Sequence, residues 1–274
     1  MSPDDFDYLA RLLRRRSGMV LARGKADMLR RRLTIVMHRY GFRDLRALVA
    51  DVRLGHEALA DAIAEAMTIN ETSFFRDPAQ FARLEQDVLP RLIKARGAAS
   101  RLRIWSAACA AGQEAWSIAM LLDETGLGGW RIDLIATDFS TAEIARAAAG
   151  RYGMFEVQRG LNAARRARHF RAEDGEWVVA DHLRRMARFR RFNLLDSYGW
   201  LDEVDIVFCR NVLMYFDAAN RAGVVERMAD TLAPDGVLLV GESENAEPMP
   251  AQLRPWPGAH GIYLRTPQAA LKAG

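Results

Sequence analysis

The stretch Arg103-Ile104-Trp105-Ser106-Ala107-Ala108-Cys109-Ala110-Ala111-Gly112-Gln113-Glu114-Ala115-Trp116-Ser117-Ile118 decides the fold. An apolar run gives way to a cluster of small residues, a glycine, an acid, and then apolar residues at helical spacing. That order reads as strand, tight loop, helix. Small side chains let a ligand approach the backbone, and glycine takes torsions that other residues resist. The helix that follows aims its unpaired N–H groups at the loop. Further on, Ile132-Asp133-Leu134-Ile135-Ala136-Thr137-Asp138 is a second apolar run ending in an acid. In nucleotide-binding α/β folds a carboxylate at the end of the second strand accepts hydrogen bonds from ribose hydroxyls.

The loop lacks the full G-x-G-x-x-G pattern that close approach of a pyrophosphate requires. A nucleoside without phosphates does not require it, and S-adenosylmethionine is the common ligand of that kind. Taken alone, the loop also fits an ordinary strand-to-helix turn crowded with small residues. Asp138 and the later motifs weigh against that alternative.

With 274 residues, half of them hydrophobic, the chain has material for one large domain or two ordinary ones. Two cysteines, Cys109 and Cys209, make no disulfide framework and no metal-ligand set, and no metal is expected. Each ends an apolar run, as small buried thiols do in a reducing cytosol. The acidic start Met1-Ser2-Pro3-Asp4-Asp5 is unlike a signal peptide, and no apolar run approaches a membrane span. A cytoplasmic location without membrane insertion is expected. Charge is unevenly placed. Between Arg11 and Arg46 twelve Arg and Lys residues face only Asp27 and Asp44, so a segment of charge +10 sits in a chain of net +4. A basic module on an acidic remainder implies an acidic partner.

Residues 1 to about 70 read as helices. Phe6, Leu9, Leu12 and Leu13 form one apolar face, stopped by Ser17-Gly18. A helix over about 25–40 places Leu29, Leu33, Val36 and Tyr40 on its core face, with Gly41 as its cap. Lys25, Arg32 and Arg39 recur every seventh residue as a basic stripe, with Arg31 and His38 further round. A solvated helix face is the alternative reading of that stripe. Residues 71–84, containing Thr72-Ser73-Phe74-Phe75-Arg76-Asp77-Pro78, break the helical period and read as a linker that contributes to the cofactor site. From there the pattern alternates: helix 81–95, strand 101–106, helix 114–124, strand 131–137 and helix 140–148. After an irregular stretch come strands 188–192 and 204–208, helix 218–232 and strand 237–241. The acidic turn Glu173-Asp174-Gly175-Glu176 marks a small β-subdomain at about 171–187. Ala233-Pro234-Asp235-Gly236 reads as a turn, and Gly261-Ile262-Tyr263-Leu264 as a last strand. Alternation argues a parallel sheet with helices on both faces.

Asn70-Glu71-Thr72-Ser73-Phe74-Phe75-Arg76, Trp105-Ser106-Ala107-Ala108 with Gly112 and Glu114, Ala136-Thr137-Asp138, Asn193-Leu194-Leu195, Phe208-Cys209-Arg210-Asn211-Val212 with Tyr215-Phe216, and Gly241-Glu242-Ser243-Glu244-Asn245 occur in this order. Together they make the chain resemble a CheR-type chemotaxis receptor methyltransferase. The resemblance runs from the basic helices to Asn245. It implies an α/β fold: a Rossmann-like class I methyltransferase domain over 85–274 with a parallel-dominated sheet, preceded by a small all-α domain over 1–70 and carrying a small β insertion. It implies transfer of a methyl group from S-adenosylmethionine to glutamate side chains of chemoreceptors, giving glutamyl methyl esters and S-adenosylhomocysteine in chemotactic adaptation. The partner would be the helical cytoplasmic domain of a chemoreceptor, not nucleic acid, and the enzyme a monomer.

By that resemblance cofactor contacts fall on Asn70, Thr72, Arg76, Glu114, Asp138, Asn193, Leu194, Cys209 and Arg210. Arg76, Arg210 and Tyr215 face the reacting centre, and Lys25, Arg31, Arg32 and Arg39 are the candidate receptor contacts. Two departures stand out. Ala115-Trp116 replaces the Pro-Tyr that usually follows this glutamate in the family. The turn between Phe170 and Trp177 is short beside members that grip a receptor tail peptide there. Two alternatives stay open: a nucleic-acid methyltransferase, because a +10 module can bind phosphates, and a non-catalytic S-adenosylmethionine-binding signalling module. Against the first, the sequence has no Asn/Asp-Pro-Pro-aromatic site and no Pro-Cys nucleophile.

Overall fold

The computed structural model describes residues 1–97, 101–127 and 129–266; the expected domain end at 274 lies outside them. The chain divides into two compact units. One is Met1–Ile69 with Met214–Arg221, and the other is Asn70–Leu213 with Ala222 onward.

The first unit is helical: α1 (Pro3–Ser17), α2 (Ala26–Tyr40), α3 (Leu45–Arg53) and α4 (Glu57–Met67). Ser2 and Asp5 form a capping box on α1, and Gly18 closes it in the left-handed region at φ 74°. Leu9, Leu13, Leu29, Leu33, Leu48, Ile63 and Met67 form its buried centre. Tyr40, expected on the core face of α2, is 44% exposed: it is the helix's last residue, and the apolar row is closed by Val36 a turn earlier. The short segment 214–221 belongs here by direct bonds. The Val20 amide donates to the Tyr215 carbonyl at 2.8 Å, and Arg14 pairs with Asp217 at 2.5 Å. The sequence alone gives no sign that this segment returns to the N-terminal helices.

The second unit opens with α5 (Pro78–Arg83) and α6 (Leu89–Arg96). Then come β1 (Arg101–Ala107), α7 (Gln113–Glu124), β2 (Arg131–Asp138), α8 (Thr141–Ala149), β3 (Arg151–Tyr152), α9 (Met154–Gln158) and α10 (Ala163–His169). They are followed by β4 (Phe170–Glu173), β5 (Glu176–Val179), α11 (Asp181–Arg184), β6 (Ala187–Arg191), β7 (Val204–Cys209), α12 (Ala218–Thr231, counted here from Ala222), β8 (Leu232–Val240), β9 (Leu253–Pro255) and β10 (Ile262–Arg265). The main sheet has the order β6-β2-β1-β7-β8-β10-β9. Its first five strands are parallel and the last two pairings antiparallel. Strand order reverses between β1 and β7, and ligands of open α/β sheets bind beyond the carboxyl ends at such a point.

The small insertion is a separate sheet, β3-β5-β4, so it draws its third strand from residues well before 171. Asp174 and Gly175 turn its hairpin with φ 53° and 80°, the positive angles a two-residue loop requires. Ala233–Gly236, read as a turn before a strand, instead lies inside β8. There Val204 pairs with Leu232 and Ile206 with Val237, so the extra residues form a bulge. The segment 71–84 is not a loose connection. Phe74 and Phe75 are buried and pack edge-on against Tyr152 and Phe170 and tilted against Phe81, and the Phe75 amide donates to Ser117 Oγ at 2.9 Å.

At the opposite ends of β1 and β2, Asp133 accepts from Arg101 (2.8 Å), Arg103 (3.0 Å) and Arg188. Burial works against its charge, but these three arginines outweigh burial and lower its pKa to about 2. A depressed carboxyl stabilises the fold above the unfolded value, 3.8, and that contribution fades as pH falls toward 2. Asp133→Asn should therefore cost about 1–2 kcal/mol at pH 7. Its deficit against wild type in urea unfolding should shrink below pH 4. A deficit that stays constant with pH would remove the ion cluster as its cause.

Candidate functional site

The carboxyl end of β1 turns into α7 through five residues, three of them left-handed: Ala108 (φ 59°), Ala110 (φ 47°) and Gly112 (φ 91°). Gly112 is required twice, by its torsion and by space: a Cβ there would stand 2.8 Å from that of Ala147. The Tyr152 hydroxyl donates to the Ala111 carbonyl at 2.7 Å, and the Cys109 amide donates to Thr137 on β2 at 2.9 Å. Trp116 is buried, donates from Nε1 to the Ala147 carbonyl at 3.2 Å and packs on Phe189. Helix α7 still begins at Gln113, directly after Gly112. Ala115-Trp116 thus fills the space under α8 and leaves the helix entry intact.

Asp138 at the end of β2 is 6% exposed. Its two oxygens accept from the Ala110 amide (2.8 Å) and the Ser140 amide (2.9 Å). Burial pushes its pKa up, against the pull of those two amides. Each oxygen has a second lone pair, so the carboxylate can still accept from a ligand. The Phe192 amide donates to the Asp138 carbonyl at 2.8 Å and so brings Asn193-Leu194 beside it. Asn193 Oδ1 accepts from the Leu195 amide, and the Leu194 carbonyl takes the Tyr198 hydroxyl and Arg227. Beneath these residues Trp105, Phe192, Tyr198 and Trp200 stack edge to face at 5.0–6.4 Å.

Glu114 accepts from Ser106 Oγ at 2.7 Å on one oxygen and from Arg210 Nη1 at 3.0 Å on the other. Burial raises its pKa, while Arg210, Ser106 and Arg76 act to lower it. Arg210 has a side chain only 1% exposed. Besides Glu114 it donates to Gln80 Oε1 (2.6 Å), the Arg76 carbonyl (2.6 Å) and Asp77 (2.7 Å). Arg210, expected at the reacting centre, thus has its side chain enclosed by protein partners. Four of its five donors are spent inside the protein, where it joins the 70–80 segment to α7 and β7. Arg76 is the more exposed guanidinium and donates from one Nη to the Glu71 carbonyl at 2.9 Å. Cys209 is fully buried, and burial raises its thiol well above the usual value, so any ligand contact there falls to its main chain.

Asn70, Thr72, Arg76, Glu114, Asp138, Asn193, Leu194, Cys209 and Arg210 all belong to the second unit. Tyr215 belongs to the helical unit. In that unit Arg32, expected among the receptor contacts, is engaged within the protein. Its guanidinium donates to the Ala66 and Thr68 carbonyls and so caps the end of α4, whose last carbonyls lack helical partners. Lys25, Arg31 and Arg39 are exposed and make no ion pair among the described residues. Sequence reasoning missed Asp77, Gln80 and Ser106. Ser106 lies within a quoted motif and Asp77 adjoins one; nothing in the sequence pairs Gln80 with Arg210.

The model of the CheR methyltransferase S-adenosylmethionine-binding domain matches residues 70–262, and that of the CheR methyltransferase all-alpha domain matches residues 4–68. The chain belongs to the CheR methyltransferase family. It is 40% identical over 267 residues to chemotaxis protein methyltransferase 1 of Pseudomonas aeruginosa, covering 95% of this chain and 97% of that one. It is 37% identical over 253 residues to chemotaxis protein methyltransferase Cher2 of Pseudomonas putida, covering 90% and 92%. Among solved structures, the N-methyltransferase NodS of Bradyrhizobium japonicum with S-adenosylhomocysteine aligns at 19% identity and a TM-score of 0.33, over 61% of this chain and 63% of that one. This CheR chain is an S-adenosylmethionine-dependent methyltransferase of chemotaxis, and a nucleic-acid substrate finds no support in these matches. The donor set fits the cofactor: a small-residue loop with no cation for a pyrophosphate, and Asp138 with lone pairs to spare. No helix among the described residues is long and apolar enough to cross a membrane.

Proposed function

We propose that this CheR methyltransferase esterifies glutamate side chains on the helical cytoplasmic region of chemoreceptors. The observation that carries the reading is that both units, the basic helical one included, match chemotaxis methyltransferases over nearly the whole chain. Bound S-adenosylmethionine supplies a methyl group activated by its sulfonium. Asp138, Glu114, Asn70, Thr72 and Asn193 are the residues assigned to hold it. The acceptor glutamate is ionised near neutral pH, so no general base is needed. The protein's task is orientation and exclusion of water. Arg76, not Arg210, is assigned to hold an acceptor oxygen by a charge-assisted bond. Too tight a clamp would dull the nucleophile, which favours a partly exposed guanidinium over a buried one.

Transfer of radiolabel from S-adenosylmethionine to receptor-enriched membranes, with a base-labile product, tests the reaction; a base-stable product or methylated nucleic acid would refute it. The same assay tests docking. Receptor methylation regions are acidic helices, and Lys25, Arg31 and Arg39 are the cations left for them. Lys25→Glu with Arg39→Glu should raise the receptor KM about tenfold or more and leave cofactor affinity unchanged. Added salt should weaken the wild type likewise, since exposed charges are screened over ~8 Å at physiological ionic strength. Arg32→Glu should instead lower stability, because its partners are the carbonyls that end α4. An unchanged KM in the double variant would place docking elsewhere.

A further inference from the structure

At the base of the small sheet, away from the cofactor loop, three side chains from different elements converge. Asp123 lies in the last turn of α7, His169 ends α10 just before β4, and His182 lies in α11 just after β5. One ring nitrogen of each histidine and one Asp123 oxygen lie within 4.8 Å of one another. His182 Nε2 is 3.7 Å from Asp123 Oδ1, too long for a hydrogen bond. The other Asp123 oxygen accepts from Arg168 at 2.7 Å.

His169 makes this more than a cluster. It is fully buried, its Nε2 lies 3.0 Å from Glu124 Oε1, and its Nδ1 is buried with no hydrogen-bond partner. Glu124 is fixed in turn by Arg165, at 2.7 and 3.0 Å. A carboxylate facing Nε2 places the ring proton there, and Nδ1 keeps a lone pair aimed at no donor. A buried acceptor left unmet is costly. A carboxylate orienting one nitrogen of a histidine while the other stays open is the arrangement that supports metal-bound imidazoles.

We propose that Asp123, His169 and His182 form a binding site for a divalent transition-metal ion, with Glu124 orienting His169 from behind. Zinc suits the donors: two imidazoles and a carboxylate oxygen at about 2.0–2.2 Å leave a fourth position for water. The ligand atoms would close from their present spacing to about 3.4 Å, as tetrahedral bonds of that length dictate. Arg165 and Arg168 already balance the two carboxylates. The site therefore lacks the surplus negative oxygen that calcium or magnesium requires, and its selectivity rests on imidazole. The ion would staple both ends of the β4–β5 hairpin to α7, supplementing the bond from the Ala180 amide to the His169 carbonyl at 2.8 Å. The ligands lie far apart in sequence, which is why no metal spacing is readable there.

Metal-stripped protein titrated with Zn2+ alone, and separately with Co2+ alone, tests this. The expected results are one ion per chain, visible d–d absorption of the cobalt form typical of a tetrahedral site, a higher Tm with zinc, and no displacement by Mg2+ or Ca2+. His182→Gln and Asp123→Asn alter side chains that are not fully buried, and both should reduce binding to the adventitious level while circular dichroism stays native. No stoichiometric uptake by the wild type overturns the proposal. So does uptake that both variants retain, which would trace the ion to His38, His56 or His260.

Discussion

Arg210→Met is expected to remove about 3–5 kcal/mol of unfolding free energy, the range for breaking one side of a buried ion pair. The guanidinium is the shared donor for Glu114, Asp77, Gln80 and the Arg76 carbonyl. Methionine keeps the volume and leaves all four acceptors without it. Arg210→Lys should be only partly milder, because a point cation cannot serve acceptors arranged around a planar fork. The defect should depend on pH in a defined direction. Burial already raises the Glu114 pKa, with Arg210 pulling it down. Without Arg210 it rises further, so above the unfolded value of 4.5 the folded chain holds more protons than the unfolded one. Stability of the variant then falls as pH rises and recovers as pH drops toward 4.5. Adding Glu114→Gln should recover part of the loss, a coupling that a double-mutant cycle in urea would read. A loss under about 1 kcal/mol for Arg210→Met, or strict additivity with Glu114→Gln, would contradict the assignment of Arg210 as the hub.

That assignment marks where sequence reading stops. The run from Arg103 to Ile118 was legible because an apolar strand, small residues and a helical period each have a local cause. The parallel order followed from the alternation of elements. The capping of α2 by Gly41 was readable for the same local reason. Side-chain partnerships were not. Arg210 and Gln80 lie 130 residues apart, and Arg32 and Thr68 36 apart, so the burial of Arg210 and the capping role of Arg32 emerge only once the chain is folded. The motif that makes Arg210 conspicuous says that it matters without saying to what. Ala233–Gly236 failed for another reason: turn residues serve a bulge as well as a turn, and pairing with β7 decides between them. The two-residue strand β3 carries too little pattern of its own and exists because β5 pairs with it. The cofactor loop is the reverse case. Its left-handed residues include two alanines, Ala108 and Ala110, which no torsional preference would place there. Asp138 helps to hold one of them through the Ala110 amide.

Asp138→Ala should therefore weaken binding of S-adenosylhomocysteine by about 1.5–3 kcal/mol, the range for hydrogen bonds to a charged group, or about 10- to 150-fold. Two effects contribute, and a second variant separates them. The carboxylate latches the loop through the Ala110 and Ser140 amides, and the family resemblance assigns its remaining lone pairs to ribose hydroxyls. Asp138→Asn keeps one oxygen and turns an N–H2 group toward the other amide, so one latch survives and one becomes a donor facing a donor. If the latch dominates, the asparagine variant should lose both affinity and stability, and the nucleoside without its amino-acid part should bind as poorly as the whole product. If the ribose contact dominates, stability should hold while affinity for any ribose-bearing ligand falls. Affinity should also fall with decreasing pH earlier than an ordinary carboxylate would dictate, because burial raises the Asp138 pKa and the protonated acid has lost acceptor capacity. Calorimetry of folded variants across pH reads all of this. Unchanged affinity in both variants would strip Asp138 of its place in the site, as ribose acceptor and as latch of the binding loop alike.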